Sequence, residues 1–243
     1  DQLITDFYPE YGDTQTTVGD LASMASGLDW IEHYTSPFSI TARANYDDDL
    51  AETILNQKIV KTPGKSFKYS SGDTQLLGMI IQKASGKSLA NYLSESFWKP
   101  LGATNDALWQ LDDDENRLAK AFCCISSSAK DFARFGKLYK DGGKWKGQQL
   151  LDSAFVAKSI TPRFKESPQY GYGWWLMKMN NKNFFMMRGH LGQYVIVEPN
   201  DNIIIVRLGH EKSLDANRKG VSPFTNDILT YIEEAYKMLD SKY

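Results

Sequence analysis

The chain has 243 residues, 42% of them hydrophobic, which is enough for a sizeable core in one large domain or two small ones. Its 28 basic residues are balanced by 30 acidic ones, which argues against a nucleic-acid binder or a polybasic membrane-surface protein. No apolar run approaches the roughly 18 residues that span a bilayer, so the segment reads as soluble, and its start shows no signal-peptide pattern.

"DQLITDFYPEYGD" opens on a helical fragment that stops at Pro9, as the middle of a protein would, so residues are expected ahead of Asp1. In "TTVGDLASMASGLDW", Thr17 and Asp20 have capping-box spacing and Gly27 is the expected stop. Residues 73–85 place Leu76, Leu77, Ile80 and Ile81 on one helical face, ended by Gly86. Ser88 opens a further helix with Leu89, Tyr92, Leu93 and Phe97 inward, closed by "KPLG". Ser128 and Asp131 begin another, carrying Phe132, Phe135 and Leu138 to the stop at Gly142-Gly143. Two short apolar, β-branched runs stand late in the chain, "QYVIVEP" and "NIIIVRLG", separated by the turn-forming "NDN", and "NFFMMRG" just before them makes a third. Their succession predicts an antiparallel meander with helices on both faces, one of them at about 224–240. The fold class is α+β, read as a single domain over 1–243. Its helical part covers about 1–160, and its sheet and last helix about 170–243.

Several tempting motifs lack what their chemistry needs. The acidic runs Asp47–Asp49 and Asp112–Glu115 have neither the glycine nor the distal glutamate of a calcium loop, so they read as solvated loops. "GKS" occurs at 64–66 and 86–88 without the glycine five residues earlier that a phosphate loop requires. His33, His190 and His210 show no metal-ligand spacing, and no metal or cofactor is expected. Cys123 and Cys124 are adjacent. Neighbouring cysteines rarely bridge each other, so two small buried apolar side chains are expected, with neither a disulfide nor a zinc site.

Two stretches carry a family signal, "FKYSSGDTQLLGMIIQKASGKSLANYLSESFWKPLGA" and "MMRGHLGQYVIVEPNDNIIIVRLG". Both resemble the serine β-lactamase-like hydrolases, a superfamily of class C β-lactamases, DD-peptidases, related esterases and nylon-type oligoamide hydrolases. "TTVGDLASMASGLDW" and "AFCCISSSAKDFARFGKLYKDGG" extend the likeness, in order, over nearly the whole chain. The resemblance implies a β-lactamase/transpeptidase-like fold, an antiparallel sheet flanked by helices. It also implies three catalytic elements: S-x-x-K, Y-x-N, and K-T-G or H-x-G on a sheet-edge strand. Tyr69-Ser70-Ser71 stands in the second place, with Ser71 where the usual asparagine would be. A hydroxyl there cannot bridge two groups as an amide does. His190-Leu191-Gly192 stands in the third place, leading into a strand over 193–198. The first element is not found. Ser127-Ser128-Ala129-Lys130 matches it literally, but it follows the tyrosine element and reads as a helix cap. Family order puts the nucleophile helix and the first strands ahead of Asp1, outside this chain.

On that resemblance Tyr69 would pass a proton between the nucleophilic serine and the leaving group, its pKa near 10 requiring a neighbouring lysine charge. His190, mostly neutral at pH 7, would orient substrate, which favours esters or uncharged amides, although Arg188 nearby could restore positive charge. The Gln193 N–H would be half of an oxyanion hole, and Gly192 would leave room for substrate on its strand. "YGYGWW" (170–175) would either line an acyl pocket or pack in the core.

The function implied is acyl transfer to water through a serine ester on a small-molecule ester, amide or peptide. The alternative is a non-catalytic binding module on the same fold, and the chain as it stands would be inactive without an upstream nucleophile. Family habit places the protein in the bacterial envelope, periplasmic or secreted, with the cytoplasm as the other option.

Overall fold

The computed structural model describes residues 2–211, 213 and 223–240. The chain gathers into two compact units, Asp1–Gly102 with Asp106–Ser126, and Ala103–Asn105 with Ser127–Tyr243.

The first unit is mainly helical. It holds α1 (Val18–Ala22), α2 (Ile40–Tyr46), α3 (Leu50–Leu55), α4 (Ser71–Ser85), α5 (Leu89–Leu93) and a hairpin of β1 (Leu108–Trp109) with β2 (Ile125–Ser126). Ile4, Leu21, Trp30, Leu50, Ile54 and Leu76 are fully buried at its centre. The predicted capping box of α1 is present, with the Thr17 hydroxyl accepting from the Asp20 N–H at 3.1 Å and Asp20 Oδ2 accepting from the Thr17 N–H at 2.9 Å. The helix, however, ends five residues before Gly27. Ser23 donates its hydroxyl back to the Gly19 carbonyl at 2.7 Å, and Met24 turns into the left-handed region at φ +59°. Gly27, at φ +80°, instead permits a close approach, because a Cβ there would overlap the Lys61 carbonyl.

α4 matches its expected span, and Gly86 at φ +65° closes it by donating its N–H to the Gln82 carbonyl at 2.9 Å. α5 begins after Ser88 but widens into a π-helical turn, Ser94–Trp98, and Tyr92 points outward, 37% exposed, contrary to its expected inward position. The cysteines are a second correction. Cys123 and Cys124 are joined to each other by a disulfide, and Cys124 is exposed, not buried. A turn brings them together. The Cys123 N–H bonds the Lys120 carbonyl at 3.1 Å, the Trp109 indole holds the Lys120 and Cys123 carbonyls at 3.0 and 3.1 Å, and Cys124 adopts φ +74°. The bridge closes over one peptide and ties no separate elements together.

The second unit contains α6 (Ala129–Lys140), a hairpin of β3 (Lys144–Trp145) with β4 (Gln148–Gln149), α7 (Ser153–Ser159), and an antiparallel sheet. That sheet comprises β5 (Trp175–Met179), β6 (Lys182–Arg188), β7 (Gln193–Glu198) and β8 (Ile203–Leu208) in the order β5-β6-β7-β8, followed by α8 (Asn226–Asp240). The three predicted strands are β6, β7 and β8. β5 was not foreseen. It joins β6 through Asn180-Asn181, both at positive φ, the geometry of a tight hairpin turn. Alternation along the strands sends Leu176, Phe185, Val195 and Val197 to one face, under α6, and Met177, Phe184, Met186 and Ile196 to the other, under α8. Phe224, expected inside the last helix, is buried just before it.

The segment Ala103–Asn105 is tied to this unit by one carboxylate. Asp131, fully buried, accepts the N–H groups of Thr104 and Asn105 at 2.9 and 3.1 Å, the Asn105 amide at 2.9 Å, the Ser128 hydroxyl at 2.8 Å and Arg134 Nε at 3.1 Å. Burial alone would push its proton affinity up, but these donors outweigh it and hold the carboxyl well below the usual carboxylate range. Among the described residues no helix is long and apolar enough to cross a membrane.

Candidate active site

Tyr69 lies half-buried at the end of an extended segment, one residue before Ser70 caps α4 by accepting the Asp73 N–H at 3.1 Å. The following residues explain how this junction is built. A Cβ on Gly72 would strike the Trp30 ring at 2.6 Å, so glycine there lets the indole lie against the first turn of the helix. The indole in turn donates to Glu32 Oε1 at 2.9 Å, and the same oxygen accepts the backbone N–H of Ser71. A carboxylate at the start of a 15-residue helix also gains from the helix dipole.

Glu32 completes the cluster by accepting the Tyr34 hydroxyl on Oε2 at 2.7 Å. Burial raises the Tyr34 phenol, and the hydrogen bond and charge of Glu32 raise it further, with the Ser71 hydroxyl opposing and Tyr69 adding to the rise. Tyr34 is therefore a proton donor, not a phenolate, and it stands half-exposed within electrostatic reach of Tyr69. Ser71 itself is buried and occupied by these two partners. Sequence reasoning missed Glu32 and Tyr34. The signal was available, since Trp30, Glu32 and Tyr34 recur at every second residue, as on one face of an extended segment.

Beneath the junction is a cavity of about 20 Å³, room for one water, lined in part by Ser26, Lys68, Ser70 and Asp73. Burial pushes the Asp73 carboxyl up to about 7, although the Ser26 hydroxyl (2.6 Å), Ser70 and the Lys68 charge pull the other way. Lys68 donates to the Trp30 carbonyl.

In the second unit His190 is exposed in the connection between β6 and β7, and Gln193 begins β7 at its predicted position. The turn is tied through Gln193. Its carbonyl accepts the Gly189 N–H at 2.7 Å, its Oε1 accepts the Leu191 N–H at 3.1 Å, and its Nε2 donates to the Gly209 carbonyl. Two expectations about this region need correction. β7 is paired on both sides, by β6 and β8, and is not an edge strand. The space beside the Gly192 α-carbon is filled as well: a Cβ there would collide with Arg207 Nη1 and lie 2.5 Å from the Glu211 carbonyl oxygen.

Of the aromatics of 170–175, Tyr170, Trp174 and Trp175 pack inward. Tyr170 and Trp174 are each 4% exposed, Trp174 stands edge-on to Phe185 at 5.0 Å, and Trp175 meets Tyr170 edge-on at 5.1 Å. Arg188 lies 5.0 Å over the Trp175 ring and 5.8 Å from Phe224. In the literal S-x-x-K match, Ser128 is the cap of α6, accepting the Asp131 N–H at 3.2 Å, as its sequence position predicts. Among the described residues no group of three or more His, Cys, Asp or Glu could hold a metal ion.

The structure thus brings Tyr69 and Ser71 together with Glu32 and Tyr34 in the first unit, and His190, Gly192 and Gln193 into one turn in the second. A family model described as Beta-lactamase matches residues 1–227. The 6-aminohexanoate-dimer hydrolase of Paenarthrobacter ureafaciens is 25% identical over 232 residues, which cover 85% of this chain and 58% of that protein. A Bacillus anthracis structure, described as a 6-aminohexanoate-dimer hydrolase, superposes with a TM-score of 0.77 at 23% identity, over 98% of this chain and 65% of that one. A penicillin-binding protein of Bacillus halodurans superposes at 0.70 with 18% identity, over 97% of this chain and 78% of the other. The chain spans less than two thirds of the length of the two 6-aminohexanoate-dimer hydrolases.

Proposed function

The chain belongs to the Beta-lactamase family, with the α+β fold of its structural relatives, and on that footing we propose that the protein is a serine hydrolase acting on esters or uncharged amides. The nucleophile of this reading is the serine that the family resemblance puts ahead of Asp1. The serine Oγ attacks the carbonyl carbon and its proton passes to the coupled lysine and Tyr69. Tyr69 then returns a proton to the leaving oxygen or nitrogen, and water repeats the sequence in reverse to release the acid. The Gln193 N–H, with that of the serine, stabilises the oxyanion. His190, exposed in the same turn, orients the substrate.

The observation that carries this reading is the Tyr69 junction, where Tyr69 directly precedes the Ser70 cap of α4 and a second phenol, Tyr34, raised by burial and then by Glu32, stays neutral within electrostatic reach of it. The likeness to a 6-aminohexanoate-dimer hydrolase supports an amide substrate. By family habit we place the protein in the bacterial envelope.

The natural gene product containing this chain, treated with a fluorophosphonate, is expected to gain one adduct by intact mass on a serine ahead of Asp1. No adduct, together with no hydrolysis of p-nitrophenyl esters or short linear amides, rejects the enzyme and leaves the binding module.

A further inference from the structure

The turn that carries His190 is held from outside by a residue the proposed reaction does not name. Arg207, on β8, faces Tyr194 across the β7–β8 pairing. Its Nη1 donates to the Gly192 carbonyl at 2.6 Å and to the Glu211 carbonyl at 2.8 Å. The guanidinium also lies 6.0 Å from the Tyr194 ring centre and 5.5 Å from that of Tyr231 on α8. Two aromatic faces and two carbonyls therefore fix one cation, which is half-buried at the end of its strand. Gly192 and Gly209 both lack a side chain where a Cβ would collide with this guanidinium, and Gly192 has φ +85°. The two glycines make room for Arg207, and the turn closes around it.

From this geometry we infer that Arg207 is the positioning residue of the oxyanion hole, an inference that rests on the serine-hydrolase reading above. The link is the peptide plane. A trans peptide is rigid, and its N–H points opposite to the preceding C=O. The Gly192 carbonyl and the Gln193 N–H belong to one such plane, so the grip of Arg207 on the first sets the direction of the second. The positive charge on the carbonyl side also polarises the peptide and makes the Gln193 N–H a stronger donor, since hydrogen bonds in a chain reinforce one another. The Gln193 side chain restrains the same turn through Leu191 and Gly209, so Arg207 removes the remaining freedom of that plane, rotation about the bonds flanking it.

A donor that acts on the oxyanion stabilises the transition state more than the bound substrate. In the natural gene product, Arg207→Gln is therefore expected to lower kcat for p-nitrophenyl esters about tenfold or more, with KM within about twofold. The inhibition constant of an arylboronic acid, which forms a tetrahedral anion on the serine, is expected to weaken in parallel. Arg207→Lys keeps the charge but not the planar fork and is expected to fall between the two. A folded Arg207→Gln or Arg207→Lys protein with unchanged kcat and unchanged boronate affinity overturns the inference. So does a loss of rate with no weakening of the boronate, which is the signature of a merely structural residue. If Arg207→Gln does not fold, the lysine variant carries the same comparison. Failure of the enzyme reading is seen separately, as a wild-type protein that neither turns over ester nor takes the fluorophosphonate.

Discussion

Ser70–Asp73 and Ser128–Asp131 are one local device in two places. In each a serine caps a long helix, the residue three positions on is an aspartate whose N–H the serine accepts, and that aspartate is buried, 1% exposed on α4 and fully buried on α6. Their protons behave in opposite ways. Asp73 meets the Ser26 hydroxyl at 2.6 Å and the Ser26 N–H at 3.4 Å, and burial wins, lifting it to about 7. Asp131 meets two backbone N–H groups, an amide, a hydroxyl and a guanidinium, and the donors win. The capping motif therefore positions a carboxylate, while groups from distant segments decide whether it is charged. One site anchors the Thr104–Asn105 segment, and the other underlies Tyr69.

The contrast is broken most strongly at Asp131. Asp131→Ala leaves Arg134 and two backbone N–H groups without their acceptor, and is expected to cost about 3–5 kcal/mol in urea unfolding. A loss below about 1 kcal/mol would mean that water replaces the carboxylate there.

Asp73 should behave in the reverse sense. Its folded-state pKa of about 7 lies above the ordinary value of 3.8, so between those values the folded protein binds more protons than the unfolded one. Its contribution is complete below about pH 4 and is lost as pH rises through about 7, by up to about 4 kcal/mol. Asp73→Asn removes this term. The difference in stability between wild type and variant, followed from pH 4 to 8.5, should move in the variant's favour as pH rises. A flat difference would mean that the carboxylate stays ionised throughout.

The caps refine the comparison. Ser70→Ala is expected to cost about 1 kcal/mol. Ser128→Ala should cost about 2 kcal/mol, because this hydroxyl also donates to Asp131, a carboxylate held ionised, whereas Ser70 bonds an Asp73 whose proton affinity is raised. Equal losses would show that the charge on Asp131 adds nothing to the bond. The smallest stability effect is expected at Glu32→Gln, about 0.5–1 kcal/mol from the α4 terminus in urea unfolding. A loss above about 2 kcal/mol would show that the Glu32 charge also carries the Trp30 and Tyr34 contacts.

Much of the fold was legible along the chain. The span of α4, the Ser128 cap of α6, the three-strand meander and the start of β7 at Gln193 all follow from periods of 3.6 and 2 and from residues that cap or turn the backbone within a few positions. The order of the Tyr69 and His190 motifs pointed to the family as well. These are short-range signals, and each is complete within one element.

What escaped depended on partners far along the chain. α1 stops early, and the next segment departs so that Ser26 meets Asp73, 47 residues away. Glu32 matters because Gly72 admits Trp30 and Ser71 presents its N–H, 39 residues on. Gly192 looked like space for a substrate until Arg207, 15 residues later on the neighbouring strand, was found to fill it. Residue type and spacing determine which helices and strands can form, because backbone geometry and capping are local. Which buried carboxylate keeps its proton, and which peptide plane is held still, is decided only when packing brings donors and charges from separate segments to within about 3 Å of one another.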